Sequence, residues 1–454
     1  MSITLTFRQR IVRAGSWSIG ANAMSQVMRL GSNLIMTRLL VPELFGVMAL
    51  ANVIMAGMQL LSDLGLRQNI IQSRRGNDSV FLNTVWTVQI VRGGLIWLLM
   101  LVTAGAIYLS TTADLWHIDS VYAAPVLPLV IIALSFNALI SGFESTRLAT
   151  ASRNLALGRT TLIDLSCNLA GVVFMVSWAM FDHSIWALVY GTLFTSALRV
   201  LASHTLLPGI RNRIHWEKAS LLEIFSFGKW IFLTSILGFL AANGDRLLLG
   251  ALVGPAVLGI YSIAFMMVSA FRDVFSQLSG NVAFPAFGEV VRNRNDALKR
   301  TYYKFRLPLD VASLLTAGIL FSAGHLLIQF LYDDRYVMAG HMIEILCISL
   351  FEVRFILAGQ CFMAMGLPRL LVPIISIRIA ALFGLMPLAF YIWGLEGALW
   401  IAGGSGLFAL PIIIYLKIKH GLFDLRRELS VLPLLAIGYA LGLALVQLVK
   451  IFGK

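Results

Sequence analysis

The sequence predicts an all-α polytopic membrane protein, with about twelve to thirteen transmembrane helices in two pseudo-twofold six-helix lobes around a central cavity. Three observations predict it: a composition too apolar for a water-soluble chain, basic residues confined to alternate loops, and an internal repeat. Of 454 residues, 59% are hydrophobic and 13% charged, and the mean hydropathy is +0.85. Soluble domains carry about 25% charged and about 45–50% apolar residues. The 38 glycines suit membrane helices that approach one another closely.

Runs long enough to cross about 30 Å of hydrocarbon lie near residues 14–37, 44–66, 84–109, 121–143, 155–181 and 185–207. A second set follows near 227–252, 256–283, 307–331, 341–365, 370–392 and 395–416, and a thirteenth near 430–450. The first run carries Ser18, Asn22, Ser25, Arg29, Asn33 and Thr37, spaced by four, three, four, four and four residues. That spacing is one polar face of a helix, and a face with an arginine on it is expected to line a hydrated cavity.

With the N-terminus placed in the cytoplasm, the segments on that side carry 23 basic residues, among them Arg67, Arg74, Arg75, Arg147, Arg153, Arg306 and Lys417. The opposite side carries four: Arg38, Arg335, Lys450 and Lys454. Acidic residues such as Asp114, Asp119, Asp182, Asp333, Asp334 and Glu396 also fall outside. This split is the positive-inside pattern. The two C-terminal lysines oppose it, so the side of the C-terminus stays open.

Shifting the sequence by 213 residues aligns Gly15, Trp17, Gly31, Leu34, Leu39, Pro42, Gly46 and Ala51 with Gly228, Trp230, Gly244, Leu247, Leu252, Pro255, Gly259 and Ala264. The expected organisation is an N-lobe over 1–207 with helices one to six, a cytoplasmic connector over 208–226, a C-lobe over 227–418 with helices seven to twelve, and an extra helix in 419–454. Six spans is an even number, so the repeat is parallel. Transporters built from such repeats hold substrate between the halves.

Composition excludes other classes. The formal net charge of +13 would suit nucleic acid only on a folded soluble surface, so no nucleic-acid partner is expected. Cys167, Cys347 and Cys361 lie inside apolar runs without C-x-x-C spacing and read as small core residues. The polar N-terminal stripe and the lack of a small-x-small site argue against a cleaved signal peptide. Neither a G-x-x-x-x-G-K-[ST] loop nor an H-E-x-x-H motif is present, and Asp114, His117 and Asp119 read as a solvated loop, so no metal and no bound cofactor are expected. Outside loops of about four to twelve residues leave little room for the catalytic groups of a polytopic glycan polymerase or transferase.

Several phrases carry a resemblance: Gly15-x-Trp17, Leu39 to Gly46 (LLVPELFG), Leu61 to Gly65 (LSDLG), Gly244 to Gly250 (GDRLLLG), Gly254 to Tyr261 (GPAVLGIY) and Val282 to Phe287 (VAFPAF). In this order they resemble the polysaccharide transporter family of the multidrug/oligosaccharidyl-lipid/polysaccharide flippase superfamily. The resemblance implies a flippase for undecaprenyl-pyrophosphate-linked oligosaccharides in the bacterial inner membrane, serving lipopolysaccharide, capsule or exopolysaccharide synthesis by alternating access. It also implies membrane lipid as surroundings and transient contact with a polysaccharide polymerase and an initiating transferase. The family is described with twelve or fourteen spans, and thirteen is a departure. A cationic-drug antiporter of the same superfamily is the rival within transport, and a scramblase or structural subunit a further one.

Ionisable residues inside a membrane cost a few kcal/mol or more, so they face water or one another. The basic ones are Arg29, Arg92, Arg199, Lys229, Arg246, Arg272, Arg354 and Arg378; the acidic ones include Asp63, Asp164, Asp245, Asp273, Asp310, Glu344 and Glu352. A pyrophosphate headgroup suits arginine, which is always charged and binds phosphate oxygens in pairs. Arg29, Arg246 and Arg272 are therefore the expected headgroup ligands. Asp63, Asp245 and Asp273 are the candidates for coupling to H+ or Na+, or for holding the arginines. Ser18, Asn22, Ser25 and Asn33 are the expected cavity lining.

Overall fold

A computed structural model describes residues 7–61, 65–117, 119–154, 157–293 and 297–452. Within these every regular element is helical, with no strand. The thirteen apolar runs all fall on helices. Runs one to six lie on α1 (Phe7–Leu39), α2 (Pro42–Leu61), α4 (Ser79–Thr112), α5 (Leu127–Gly142), α7 (Leu157–Phe181) and α8 (Trp186–Thr205), with α3 (Leu66–Gln72) and α6 (Arg147–Arg153) as short links. The later runs lie on α9 (Lys218–Leu252), α10 (Pro255–Leu278), α12 (Leu298–Leu331), the pair α13 (Val337–Leu346) and α14 (Val353–Ala364), α15 (Leu371–Gly404), α16 (Leu410–Lys419) and α18 (Pro433–Phe452). The short α11 (Phe284–Asn293) and α17 (Leu425–Leu429) complete the order.

By length and apolarity, nine helical stretches among the described residues qualify as membrane spans, and ten when the bent pair α5 and α6 is taken as one. The count omits α1, whose N-terminal half lies largely outside the described side chains, and the α13–α14 pair, which the 3-10 segment Cys347–Glu352 interrupts. It also takes Pro368–Lys419 as one stretch of 52 residues, which at 1.5 Å per residue would be about 78 Å long. That stretch is two helices. Gly394 sits at φ 62°, ψ −150°, a conformation open to glycine, and beyond it Gly397 packs directly on the carbonyl of Ala389. Residues eight apart touch only if the chain reverses between them.

The repeat is visible in the helix ends. α1 stops at Leu39 and α2 begins at Pro42; α9 stops at Leu252 and α10 begins at Pro255. Both boundaries are separated by the same 213 residues that align the sequence. Proline at the first helical position explains both starts, because its missing N–H has no partner there in any case.

The chain forms two compact units, Met1–Phe239 with Gly254–Ala256, and Leu240–Val253 with Val257–Lys454. In the first, α4 and α5 meet at Gly93 and Gly142: a side chain at Gly93 would strike the Ala138 carbonyl, and Gly142 sits close against the α4 backbone, the small-residue contact that membrane helices use. The loops at its basic end are held by arginines acting on backbone carbonyls. Arg147 donates to Ile210 O and Leu207 O at 2.8 Å each, and Arg153 to Ile70 O and Ile71 O at 2.8 Å and Ser73 O at 2.6 Å. Arg75 bridges Asp78 at 2.7 Å and Glu217 at 2.8 Å, fastening the segment before α9 to the start of α4. The Arg75 hydrogen bonds lower the Asp78 pKa; those from Ser220 and then Arg75 lower that of Glu217. Arginines read from the sequence as loop charges thus tie the loops together.

In the second unit α18 lies along α12, with Gly438 against Leu315 and Gly442 against Ser322. The loop-charge reading requires one correction here. Arg306 and Lys417, counted as cytoplasmic loop charges, are fully buried. Arg306 binds Asp310 at 3.0 Å, and both Arg306 and Lys417 hydrogen-bond Glu428. Arg354 reaches Glu428 Oε2 at 3.5 Å and Asp310 at 3.7 Å. Hydropathy ends a span at the first charged residue, whereas the fold continues because each charge meets an opposite one.

Candidate functional site

In the first unit, Ser25 and Arg29 of the α1 stripe line a cavity of about 330 Å3, completed by Asn168 and Gly171 of α7 and by Thr192 and Thr195 of α8. Asn33 is half-buried further along α1. The side chains of Ser18 and Asn22 lie outside the described ones, and Asp63 outside the described residues. Of the other basic residues expected within spans, Arg92 donates to Gln59 O at 2.6 Å. Arg199 joins Glu144 at 2.9 Å and Asp164 at 3.2 Å. Both hold helices together.

In the second unit, Arg272 of α10 lines a cavity of about 290 Å3 together with Glu352, Gln360 and Arg378. A narrower recess shares Ala241, Arg272 and Arg378 with it and brings in Asp245, Phe265 and Ser269. The structure thus places two of the predicted residues, Arg272 and Asp245, on the wall of one recess, among mostly apolar neighbours. Arg246, next to Asp245 on α9, lays its guanidinium over the Phe265 ring at 4.1 Å from the centroid, a cation–π contact. Its buried Nε makes no hydrogen bond among the described residues. Asp273 is exposed on α10 and does not line the cavity.

Each carboxylate lining the two spaces is engaged. Asp245, 6% exposed, accepts a hydrogen bond from Tyr261 Oη. Glu352 lies 3.6 Å from Arg378 and accepts the Gly406 N–H at 2.8 Å. A side chain at 406 would collide with that carboxylate, and the 3-10 turn Ser405–Ala409 frees the amide that an α-helix would have used. Arg272 has no ion pair among the described residues, and the buried Nε of Arg378 has no hydrogen bond. Two arginines, Arg272 and Arg378, stand beside these two carboxylates, with Arg246 outside the lining, and guanidinium N–H groups stay unused because the carboxylates are engaged elsewhere. Such a surface suits a phosphate, whose oxygens accept from guanidinium forks.

Arg378 and Glu352 belong to the site although sequence reasoning did not select them. Both were legible as charges inside spans, but their partnership crosses 26 residues that no helical spacing connects. Glu352 and Arg354, two apart, do take different neighbours, as their spacing requires. Glu344 lies 2.7 Å from His325 Nδ1 and 3.6 Å from His341, and His341 lies 3.1 Å from Glu396. Cys167, Cys347 and Cys361 are buried free thiols.

A family model described as polysaccharide biosynthesis protein matches residues 35–340. The lipopolysaccharide biosynthesis protein WzxC of Escherichia coli (strain K12) is 24% identical over 350 residues, covering 76% of this chain and 68% of WzxC. Among solved structures, the lipid II flippase MurJ in an inward closed conformation superposes with a TM-score of 0.68 at 14% identity, covering 94% of this chain and 92% of that one. An inward-facing multidrug resistance MATE transporter of the MOP superfamily has the same TM-score and identity, covering 90% and 98%. At such identity these two likenesses establish the fold alone. The match across two thirds of the sequence establishes more: this multi-pass membrane protein belongs to the polysaccharide biosynthesis protein family.

Proposed function

We propose that this chain is a flippase moving undecaprenyl-pyrophosphate-linked oligosaccharide repeat units across the bacterial inner membrane by alternating access, with its N-terminus in the cytoplasm. It acts as a transporter, not an enzyme. The observation that carries the reading is the pair of guanidinium groups in the second unit's cavity: Arg272 has no ion pair among the described residues and the buried Nε of Arg378 no hydrogen bond, while Asp245 and Glu352 beside them are already engaged. Arg29 presents another in the first unit's cavity. The family and the flippase among its structural neighbours agree with it. Within the second unit Arg272 and Arg378 would hold the pyrophosphate, with Arg246 beside Asp245 behind them; within the first, Arg29, Ser25 and Asn168 are the candidate ligands for an anionic or sugar group. Asp245, buried and hydrogen-bonded to Tyr261, is the described carboxylate best placed to carry a coupling H+ or Na+. Contact with a polymerase and an initiating transferase would be transient.

The test is deletion of the gene in its host, followed by mass spectrometry of extracted lipids. Accumulation of a polyprenyl-pyrophosphate oligosaccharide with loss of surface polymer is expected, restored by the wild-type chain and not by Arg272→Ala at equal protein level. Asp245 favours one other reading, a cation antiporter. Unchanged lipids and polymer together with increased sensitivity to cationic drugs would establish that reading and refute the flippase.

A further inference from the structure

A cavity with basic walls, remote in sequence from Arg272, lies at the Arg- and Lys-rich end of α12. It has a volume of about 700 Å3 and is walled by Arg300, Lys304 and Leu307 of α12 and by Arg427 of α17, with Tyr303 and Asp310 at its floor. We propose that this cleft binds the phosphate of an anionic phospholipid, with the acyl chains lying against the outer faces of α12 and α18. The proposal does not depend on what the protein transports.

The wall charge is not neutralised from within. Arg300 and Lys304 are exposed and form no ion pair among the described residues. Arg427 is 53% exposed and reaches Asp424 only at 3.7 Å, while its guanidinium lies 5.3 Å from the Tyr303 ring centroid. The one carboxylate in the lining, Asp310, is 3% exposed and already committed to Arg306 at 3.0 Å and Arg354 at 3.7 Å. Behind the wall, Arg306, Arg354 and Lys417 face only Asp310 and Glu428, which leaves one positive charge in excess. Arg306, 0% exposed, has an Nη2 with no hydrogen bond among the described residues. The field from the buried group therefore adds to that of the surface cations.

The shape is that of an amphiphile rather than of a free ion. Arg300, Lys304 and Leu307 follow one another at helical spacing on one face of α12, so charge gives way to an apolar side chain, 55% exposed, within two turns. On α18, Ile437, Leu441, Leu445 and Leu448 form a stripe that is 46–50% exposed. The positive-inside pattern puts this end in the cytoplasmic leaflet, where basic pockets between helices meet lipid headgroups. Inorganic phosphate would use the cations and leave the apolar part bare.

The full-length protein, purified in mild detergent, would be titrated with phosphatidylglycerol and with phosphatidylcholine, and bound lipid counted by native mass spectrometry. Saturable phosphatidylglycerol binding is expected, weakened at least tenfold in R300Q/K304Q/R427Q, with phosphatidylcholine binding weak and equal in both proteins. R300Q/K304Q changes two exposed side chains only. It is expected to show an intermediate loss with an unchanged melting profile, which separates lost binding from lost folding. Equal phosphatidylglycerol binding by wild type and both variants would overturn the proposal. So would displacement of the lipid by millimolar inorganic phosphate, which would mark a free-anion site, or preference for undecaprenyl pyrophosphate, which would mark a site for a polyprenyl carrier.

Discussion

Replacing Glu428 by glutamine removes one negative charge from a place where three cations already outnumber two carboxylates. Glu428 is 11% exposed and is engaged by Arg306, Lys417 and Arg354, and Tyr303 Oη donates to it at 3.0 Å. Its cationic partners are 0%, 0% and 2% exposed, so bulk water cannot take over the role of the lost charge. Breaking a buried ion pair from one side costs about 3–5 kcal/mol, because the remaining charge stays desolvated. Here three cations would share only Asp310. Asp424, 30% exposed, pairs with Lys299 at 3.9 Å and Arg427 at 3.7 Å; Asp424→Asn is expected to cost about 0–1 kcal/mol, the range of surface pairs. The assay is unfolding of the purified protein in detergent by heat and by denaturant, comparing E428Q, D424N, K417M and E428Q/K417M. The double variant is expected to recover part of the E428Q loss, since it removes a cation along with the carboxylate, with a coupling of about 0.5–3 kcal/mol. If E428Q melts with D424N, the cluster is not what holds α12, α14, α16 and α17 together, and the reasoning fails.

Arg272→Ala and Arg378→Ala are each expected to abolish polymer export at normal protein level, and Asp273→Asn to leave it intact; complementation of a deletion strain checks all three. Gly438→Leu, whose side chain would strike the Leu315 backbone, should lower stability by about 1–3 kcal/mol, the cost of overpacking. Gly105→Leu, with open space around it, should not, and paired melting curves decide. Asp78 and Glu217 have pKa values lowered by their hydrogen bonds from the ordinary 3.8 and 4.5. Their contribution is therefore complete above those values and lost as pH falls below them. Hydrogen exchange in residues 206–217 should rise on acidification below about pH 4 in wild type, and be raised already at neutral pH in D78N/E217Q.

The helices were legible because a membrane span announces itself in one dimension. Apolar length, the Pro42 and Pro255 starts and the Gly394 break are local facts, and the structure follows them to within a few residues at most ends, while α9 and α12 each start nine residues before their apolar runs. The α1 stripe was legible for the same reason, since the spacing of Ser25 and Arg29 sets their common face before any neighbour is known. Pairing was not legible. Nothing along the chain links Arg378 to Glu352, or Arg306 to Glu428 across 122 residues, because these contacts depend on which helices pack and at what height. Lys417 shows the sharper failure: a lysine next to a loop reads as solvated, and only the carboxylate from α17 reveals that it is not.

The two buried charge groups of the second unit differ in the way that separates a scaffold from a site. In the α12 cluster the carboxylates are shared among cations and a tyrosine hydroxyl, the Glu428 backbone carbonyl accepts from Arg354, aromatic rings cover the guanidinium groups of Arg306 and Arg354, and the side chains are closed off from solvent. Such a group resists change, since moving any helix in it strands a charge. Around Arg272 the carboxylates are already committed, to Tyr261 and to Arg378 with Gly406, yet guanidinium N–H groups remain unused beside open volume. A charge in a membrane segment costs several kcal/mol unless something answers it. Where the protein does not supply the counter-charge, water or a visiting anion must. If the chain carries a lipid-linked oligosaccharide as proposed, its anionic headgroup belongs beside Arg272 and Arg378, next to open volume, and not in the closed interior of the cluster.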